Sequence, residues 1–393
     1  MNPFDRLHTM AEQGEFSRRV LLRLPVGRSP IPAIASVRTP TPGLEPGHRP
    51  TVSVVIPCYN YARFLPDAVY SALDQTGVTV EVIVVDDGST DDSACVAERI
   101  AKQDQRVRLL QNTQNVGHVV TFNNGFEIAS GEFIVRLDAD DLLTPGSLRR
   151  AVELFDAFPG VGLVYGRPRH FDSRTPPAPE TALRGWTVWS GQEWFGERCR
   201  AATNCITTPE AIVRAAVMRD VGPLDTRLRY AQDMEMWLRV ATVSDVGHID
   251  GPDQALHRDH VASMSVTVGA GALNDFIERR TVFDVLFDGA AKVMSGSDEL
   301  YATARRGLAA QALDRACRAY DRGRAASEPV AEYVAFALET YPAARQLPQW
   351  RALEASRRVS TRVGPSLSAS AARAVARRLG EERRYLRWQR TGL

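Results

Sequence analysis

The sequence predicts an α/β fold, a mainly parallel sheet flanked by helices with a helical C-terminal extension. Three observations predict it. Short β-branched runs alternate with helix-length segments between residues 51 and 166. The first of them is the β-branched, apolar kind of run that suits a strand covered on both faces. Two of them end in crowded acidic groups, Asp86–Asp87 and Asp138–Asp140–Asp141.

The elements follow in order. "TVSVVIP" (51–57) is the first buried strand, with Pro57 expected to stop it. "TVEVIVVDD", "VRLLQN", "EFIVRLD" and "VGLVYG" are the next four, separated by helical segments near 62–75, 91–103, 118–129 and 145–158. Right-handed crossovers between parallel strands place their C-terminal ends on one edge, where open α/β sheets bind ligands. Both acidic groups sit there. From 168 to 232 the pattern is irregular and carries Trp186, Trp189 and Trp194, of which packing is expected to claim two. A helix is predicted over 232–242, the His-rich stretch "HRDHVASMS" follows, and beyond 272 the pattern is helical without a clear strand. Upstream, residues 25–50 hold seven prolines and read as a linker or a strap over the surface. The chain therefore divides into an N-terminal extension (1–50), an α/β domain (51–268) and a helical C-terminal region with an Arg-rich tail (269–393).

Composition narrows the function classes. The 393 residues are 44% hydrophobic and 24% charged with a formal net charge of +1, which gives no reason to expect nucleic-acid binding. Lys102 and Lys292 are the only lysines, an arginine bias that suggests a GC-rich, bacterial genome. Five cysteines at irregular spacing form no C-x-x-C pair, so reduced thiols in a cytoplasmic protein are expected. The first 25 residues have no signal-type apolar core, and no run of 18 apolar residues occurs. The last 37 residues carry ten arginines against two glutamates. With Ala371, Val375, Leu379 and Leu386 near one stripe, this tail reads either as a helix on anionic lipid or as one packed on the protein with a solvated arginine face.

Alternate acids after a buried strand suit a hard divalent cation, Mg²⁺ or Mn²⁺, which takes further ligands from substrate phosphates. A cation held by Asp138 and Asp140 would neutralise a diphosphate leaving group. The competing reading makes Asp141 or Thr144 the cap of the helix near Pro145. At "VVDDGSTDDS", Gly88 and Ser89 make a strand-to-helix turn. Asp86 and Asp87 are suited to accept hydrogen bonds from a ribose or a base N–H. Neither G-x-G-x-x-G after the first strand nor a P-loop motif is present, so dinucleotide and P-loop readings fail.

"VVIPCYN", "VVDDGSTDD", "NVGHVVTFNNGFEIASGEFIVRLDADD", "VGPLDTRLRYAQDMEMWLR" and "HRDHVASMS", in this order, resemble family 2 glycosyltransferases of the Rossmann-like GT-A (nucleotide-diphospho-sugar transferase) fold over about 51–268. The resemblance implies inverting transfer of a sugar from a UDP-, dTDP- or GDP-linked donor to a carbohydrate, lipid-linked or other hydroxyl acceptor. It implies that Pro57, Tyr59 and Asp87 contact the nucleoside, with Asp86 beside them. Asp138 faces ribose and metal, Asp140 is the principal ligand of Mn²⁺ or Mg²⁺, His260 is a further ligand, and Asp233 is the catalytic base with Glu235 behind it. The chemistry agrees, because an inverting displacement needs one carboxylate to take the acceptor proton and no second acid. Helix capping by Asp233 is the alternative.

Two positions depart from the family pattern: Gln232 replaces a common Glu before the base, and Phe122–Asn123 replaces Arg–Asn. Two rivals remain. A non-catalytic nucleotide-sugar-binding or scaffold protein would not need Asp138, Asp140 and Asp233. A sugar-nucleotide pyrophosphorylase would need a Gly- and Lys-bearing loop where this chain has "PCYNYARFL".

Overall fold

The computed structural model describes residues 29–38, 49–260, 271–362, 379–380 and 382–393. These residues form two compact units, one within 29–195, 204–263 and 389–393, the other within 196–203 and 264–388.

The first unit holds the sheet. Its strands are β1 (Ala35–Arg38), β2 (Thr51–Cys58), β3 (Thr79–Asp86), β4 (Val107–Gln111), β5 (Phe133–Arg136), β6 (Leu142–Leu143), β7 (Val161–Phe171), β8 (Gly185–Trp189), β9 (Ile212–Arg214) and β10 (Asp245–Arg258). They lie side by side as β1-β8-β10-β7-β9-β5-β2-β3-β4, with β6 paired to β10. Ladders β2–β3, β2–β5, β3–β4 and β7–β10 are parallel. β9 runs antiparallel to both β5 and β7, which turns β7 and β10 back to the direction of β2. The ends of β2, β3, β5, β7 and β10 therefore share one edge.

The β-branched content explains the central strands. Val52, Val54, Val55 and Ile56 of β2 and Val82, Ile83, Val84 and Val85 of β3 are buried. Each such side chain contributes about 1.5–3 kcal/mol on leaving water. Pro57 does not stop β2, which continues through Cys58 in register with Val85 and Asp86. The helix His118–Glu127 crosses this face at Gly125, where a Cβ would stand 2.5 Å from Val55 Cγ1 and 2.8 Å from Val85 Cγ2. Only a bare α-carbon admits the helix that closely.

Several stretches fold differently from their sequence pattern. The Pro-rich linker supplies β1, an edge strand against β8. The irregular region holds the end of β7, β8, the helix Gly191–Ala201, β9 and the helix Ala215–Val221. β10 passes through Gly251 and Pro252, punctuation that hides a 14-residue strand. Trp186, Trp189 and Trp194 are all buried, so none is left for an acceptor.

The second unit contains helices Ala272–Asp288, Ser297–Asp321, Val330–Thr340 and Pro348–Arg362. Ala304, Leu308, Ala312, Leu313 and Ala316 are buried on one face of the long helix, and small side chains there allow close approach. Ala371 and Val375 of the basic stripe lie outside the described residues. Leu379 is exposed, whereas Trp388 and Leu393 are buried. Among the described residues no helix is long and apolar enough to cross a membrane.

Candidate active site at the strand ends

The edge shared by β2, β3, β5 and β10 gathers most of the predicted residues, with different partners than expected. Asp87 is buried and fully engaged. Its Oδ1 accepts from Asn112 Nδ2 and Val116 N (both 2.9 Å), and its Oδ2 accepts from Gly117 N (2.9 Å). It anchors the loop before the helix His118–Glu127 and presents no free oxygen to a nucleoside. Asp86 does. Ser89 N donates to its Oδ2 at 3.2 Å, while its Oδ1 is buried with no hydrogen-bond partner among the described residues. An orphaned buried acceptor is costly unless a ligand N–H meets it.

Asn60 is also consumed by the scaffold. Held at φ +60, its Oδ1 accepts from Thr90 N (2.8 Å) and Asp91 N (3.3 Å). Tyr59 beside it is 41% exposed, the one ring of "CYNY" open to a stacking partner, and Pro57 is buried behind it. Asn123 bonds both the N–H and C=O of Leu224 at 2.9 Å, and Phe122 is buried against Phe126. Neither side chain of that departure from the family pattern is available to a ligand.

The run Asp138–Asp141 is divided by its own alternation. Asp138 Oδ1 accepts from Arg136 Nε (3.2 Å) and Nη2 (3.1 Å). Burial works against its charge, but the Arg136 guanidinium outweighs that and holds the carboxyl below its usual range. β6 pairs with Ala255 and Leu256, which carries the following acids to the end of β10. There Asp140 Oδ2 meets His260 Nε2 at 2.7 Å, and Arg258 Nε donates to the Asp140 carbonyl (3.0 Å). Asp141 is fully buried and accepts from His257 Nδ1 (3.0 Å) and Arg258 N (2.8 Å). It does not cap the next helix, whose Ncap is Gly146 without a side-chain bond. Burial pushes Asp141 up to about 6, while Asp141 and Asp259 hold His257 well above the imidazole range against its own burial. The pair shares a proton, which belongs on His257.

The donor set tests the expected cation. Asp140 and His260 already converge, and an imidazole beside a carboxylate suits Mn²⁺ better than Mg²⁺. Asp138 is committed to Arg136 through one oxygen, and the three do not form a closed ligand shell among the described residues. Tyr61 shows the sign of the local field: burial, then Asp140, Asp138 and Asp141, drive its phenol far up. The site thus fits a cation held by Asp140 and His260, with remaining positions left to water and substrate phosphate.

Asp233 opens the helix Gln232–Ala241. Its Oδ2 accepts from Asn204 Nδ2 (2.9 Å) and Thr208 Oγ1 (3.4 Å), and its Oδ1 from Met234 N (2.7 Å). Burial pushes the carboxyl up to about 6 despite these bonds and despite nearby Arg136. Glu235 is no reserve base. It is buried and paired twice with Arg239, Nε to Oε1 at 2.8 Å and Nη2 to Oε2 at 2.9 Å.

Arg136 and His118 were not singled out in the sequence. Arg136 is 6% exposed and joins the two halves of the site. Besides Asp138, it donates through Nη2 to His118 Nδ1 (3.2 Å) and, with the Gln232 amide turned to the orientation that satisfies both its ends, through Nη1 to the Gln232 side-chain oxygen (3.1 Å). Gln232 in turn donates to Tyr230 O at 2.9 Å. His118 Nε2 lies 3.0 Å from Arg229 O, and burial with the Arg136 charge keeps the ring below its usual range, hence neutral. A cation within an otherwise acidic strand-end motif was the available signal.

Comparison with known proteins agrees with this geometry. Residues 53–219 match the model of glycosyl transferase family 2. An uncharacterized glycosyltransferase of Nostoc sp. is 34% identical over 184 residues, 44% of this chain and 54% of its own length. The succinoglycan biosynthesis protein ExoO of Rhizobium meliloti is 44% identical over 108 residues, 28% of this chain and 30% of its own. The first two curated relatives are matched over 54% and 60% of their own length, so the chain spans little more than half of them. Among solved structures, S. aureus TarS aligns with a TM-score of 0.50 at 16% identity, covering 79% of this chain and 54% of TarS, which supports the GT-A architecture. The stretch similar to glycosyl transferase family 2, residues 53–219, carries Asp86, Asp87, Asp138 and Asp140.

Proposed function

We propose that the protein is an inverting, metal-assisted glycosyltransferase that moves a sugar from a nucleotide-diphosphate donor to an acceptor hydroxyl. The observation that carries this reading is the continuous contact Asp138–Arg136–Gln232. It sets the strand-end acids beside Asp233, a half-buried carboxylate pushed up to about 6.

The residues have separate tasks. Asp86 Oδ1 would accept a base N–H, and Tyr59 would offer its exposed ring to the nucleoside. Asp140 and His260 would hold Mn²⁺ or Mg²⁺, which when bound offsets the charge of the departing diphosphate. Asp233 takes the proton of the acceptor hydroxyl. The hydroxyl oxygen then bonds the anomeric carbon as the bond to the diphosphate oxygen breaks, with inversion. Arg136 keeps Asp138 ionised and holds Gln232, so the first turn of the base-bearing helix is fixed. The neutral Gln232 leaves Asp233 as the proton acceptor at that turn.

Similarity to a succinoglycan biosynthesis protein supports a role in glycan or glycoconjugate assembly. The five free thiols support a cytoplasmic location. Peripheral contact with anionic membrane rests on the charge of the Arg-rich tail. Deleting 357–393 should weaken partitioning onto anionic vesicles, and unchanged partitioning removes that part of the reading. The main test is calorimetric titration with UDP-, dTDP- and GDP-sugars in the presence of Mn²⁺. Binding of one class identifies the donor, and binding of none overturns the transferase reading.

A further inference from the structure

Strand alternation separates the side chains at the end of β10 into two sets. Arg258 and His260 project to one side, where both meet the Phe64 ring, at 4.8 Å and 5.4 Å. Asp140 joins them there through His260. His257 and Asp259, two residues apart, share the other side. In the parallel ladder His257 is the register partner of His170 on β7, and their rings meet edge to face at 4.7 Å.

We propose that His170, His257 and Asp259 form a second cation site, for a borderline metal such as Zn²⁺, separate from the Asp140–His260 pair. One ligand atom from each lies within 4.8 Å of the other two, the one such three-residue convergence among the described residues. His170 Nδ1 is 3.3 Å from Asp259 Oδ1, and His257 Nε2 is 3.9 Å from the same oxygen. A tetrahedral ion with bonds of about 2.0–2.1 Å places its ligands about 3.4 Å apart, so side-chain adjustment of about an ångström closes the shell. Two imidazoles and one carboxylate suit Zn²⁺ better than Mg²⁺, and the fourth position falls to water.

The independent observation is Asp141. It is 0% exposed, yet it lies on the far side of His257, accepting from Nδ1 at 3.0 Å while its other oxygen is fixed by Arg258 N. A carboxylate on one imidazole nitrogen fixes the ring and directs the other nitrogen to a metal. Here the other nitrogen faces Asp259. Zn²⁺ takes the place of the Nε2 proton, which leaves to solvent. The ion pins β7 to β10 at their ends and so fixes the chain that presents His260 and Asp140. It is a structural ion beside the donor site.

The full chain, stripped with chelator and dialysed, is titrated with Zn²⁺ alone, with neither donor nor Mn²⁺. One Zn²⁺ per chain is expected at micromolar concentration or below. His170→Asn and Asp259→Asn should each weaken it at least about tenfold, while Asp140→Asn leaves it within about twofold. His170→Cys supplies a replacement ligand. It should retain the site and, loaded with Co²⁺, show a thiolate-to-metal charge-transfer band that the parent protein lacks. No Zn²⁺ bound at micromolar concentration overturns the proposal. So does binding lost in Asp140→Asn but kept in His170→Asn, or a folded His170→Cys protein without that band.

Discussion

Asn204→Leu tests whether Asp233 takes the proton, because it removes a donor that holds the carboxylate in its charged form; it also removes the Oδ1 that accepts from Ile206 N at 3.2 Å, a loss that does not vary with pH. Asn204 Nδ2 donates to Asp233 Oδ2 at 2.9 Å. A hydrogen bond to a charged group contributes about 1.5–3 kcal/mol, which is about 1–2 pKa units. Asp233 stands at about 6 with that bond in place, and without it the carboxyl should titrate between about 7 and 8. A base works only when ionised, so the acid limb of kcat/KM moves up with it. With a value near 7.5, the variant should be about eightfold slower than the parent at pH 6.5 and within about twofold at pH 9. The assay is initial-rate release of nucleoside diphosphate across pH 5–9, with water as acceptor if no better one is in hand. A loss that is uniform across pH would show that Asn204 acts on binding or folding. Superimposable profiles would show that Asp233 is not the group being titrated.

Asp233→Asn should lower transfer by about 10²–10⁴-fold while donor affinity, measured by calorimetry, stays within a few-fold. The same variant should melt later at pH 7.5, by about 1–3 kcal/mol. A raised carboxyl costs stability above its folded value of about 6, so the gain should fade as the pH falls from about 6 towards 4. Gly125→Val should destabilise the first unit by about 3 kcal/mol or more in urea unfolding, since the added side chain drives the helix off Val55 and Val85. Asp86→Leu removes the orphaned acceptor and should weaken donor binding, measured by calorimetry, about tenfold or more. Arg136→Met should raise the Asp138 titration, followed by carboxylate NMR, and weaken donor binding in Mn²⁺. An unmoved Asp138 would remove Arg136 from its assigned role.

What the sequence made legible follows from how each signal is encoded. β2, β3 and β5 are continuous β-branched runs, and their ends carry the acids, so both the parallel core and the location of the site could be read locally. β10 could not. Gly251 and Pro252 interrupt it and its partner β7 lies more than 80 residues away, so nothing local marks a strand. β1 is stabilised by pairing with β8, not by its own prolines' neighbours. Residue type also identified acids without telling their tasks. Asp86 and Asp87 are adjacent and chemically identical, yet one closes a loop through three donors and the other keeps a vacant oxygen. That difference depends on Asn112, Val116 and Gly117 arriving from another strand's loop, which spacing does not report. The tryptophans show the converse: their size was visible, but only the packed unit shows that all three are buried.

Asp86, Asp87, Asp138, Asp140, Asp141 and Asp233 crowd together here, and a site that ionised all of them without compensation would repel itself. Its positive groups are placed so that the carboxylates differ. Arg136 touches Asp138 and keeps it charged; it stands one contact farther from Asp233, through Gln232, and leaves burial free to push that carboxyl up to about 6. Burial, helped by the same guanidinium, keeps His118 neutral, so the ring accepts from Arg136 and adds no second charge. Asp141 is withdrawn from the substrate side altogether by His257. The result is one acid held ionised, one pushed up to about 6 and one paired with the His257 imidazole. Such separation of protonation states is what assigns roles among like residues. On this argument Arg136, a residue with no proton to give, determines which of the acids can receive one.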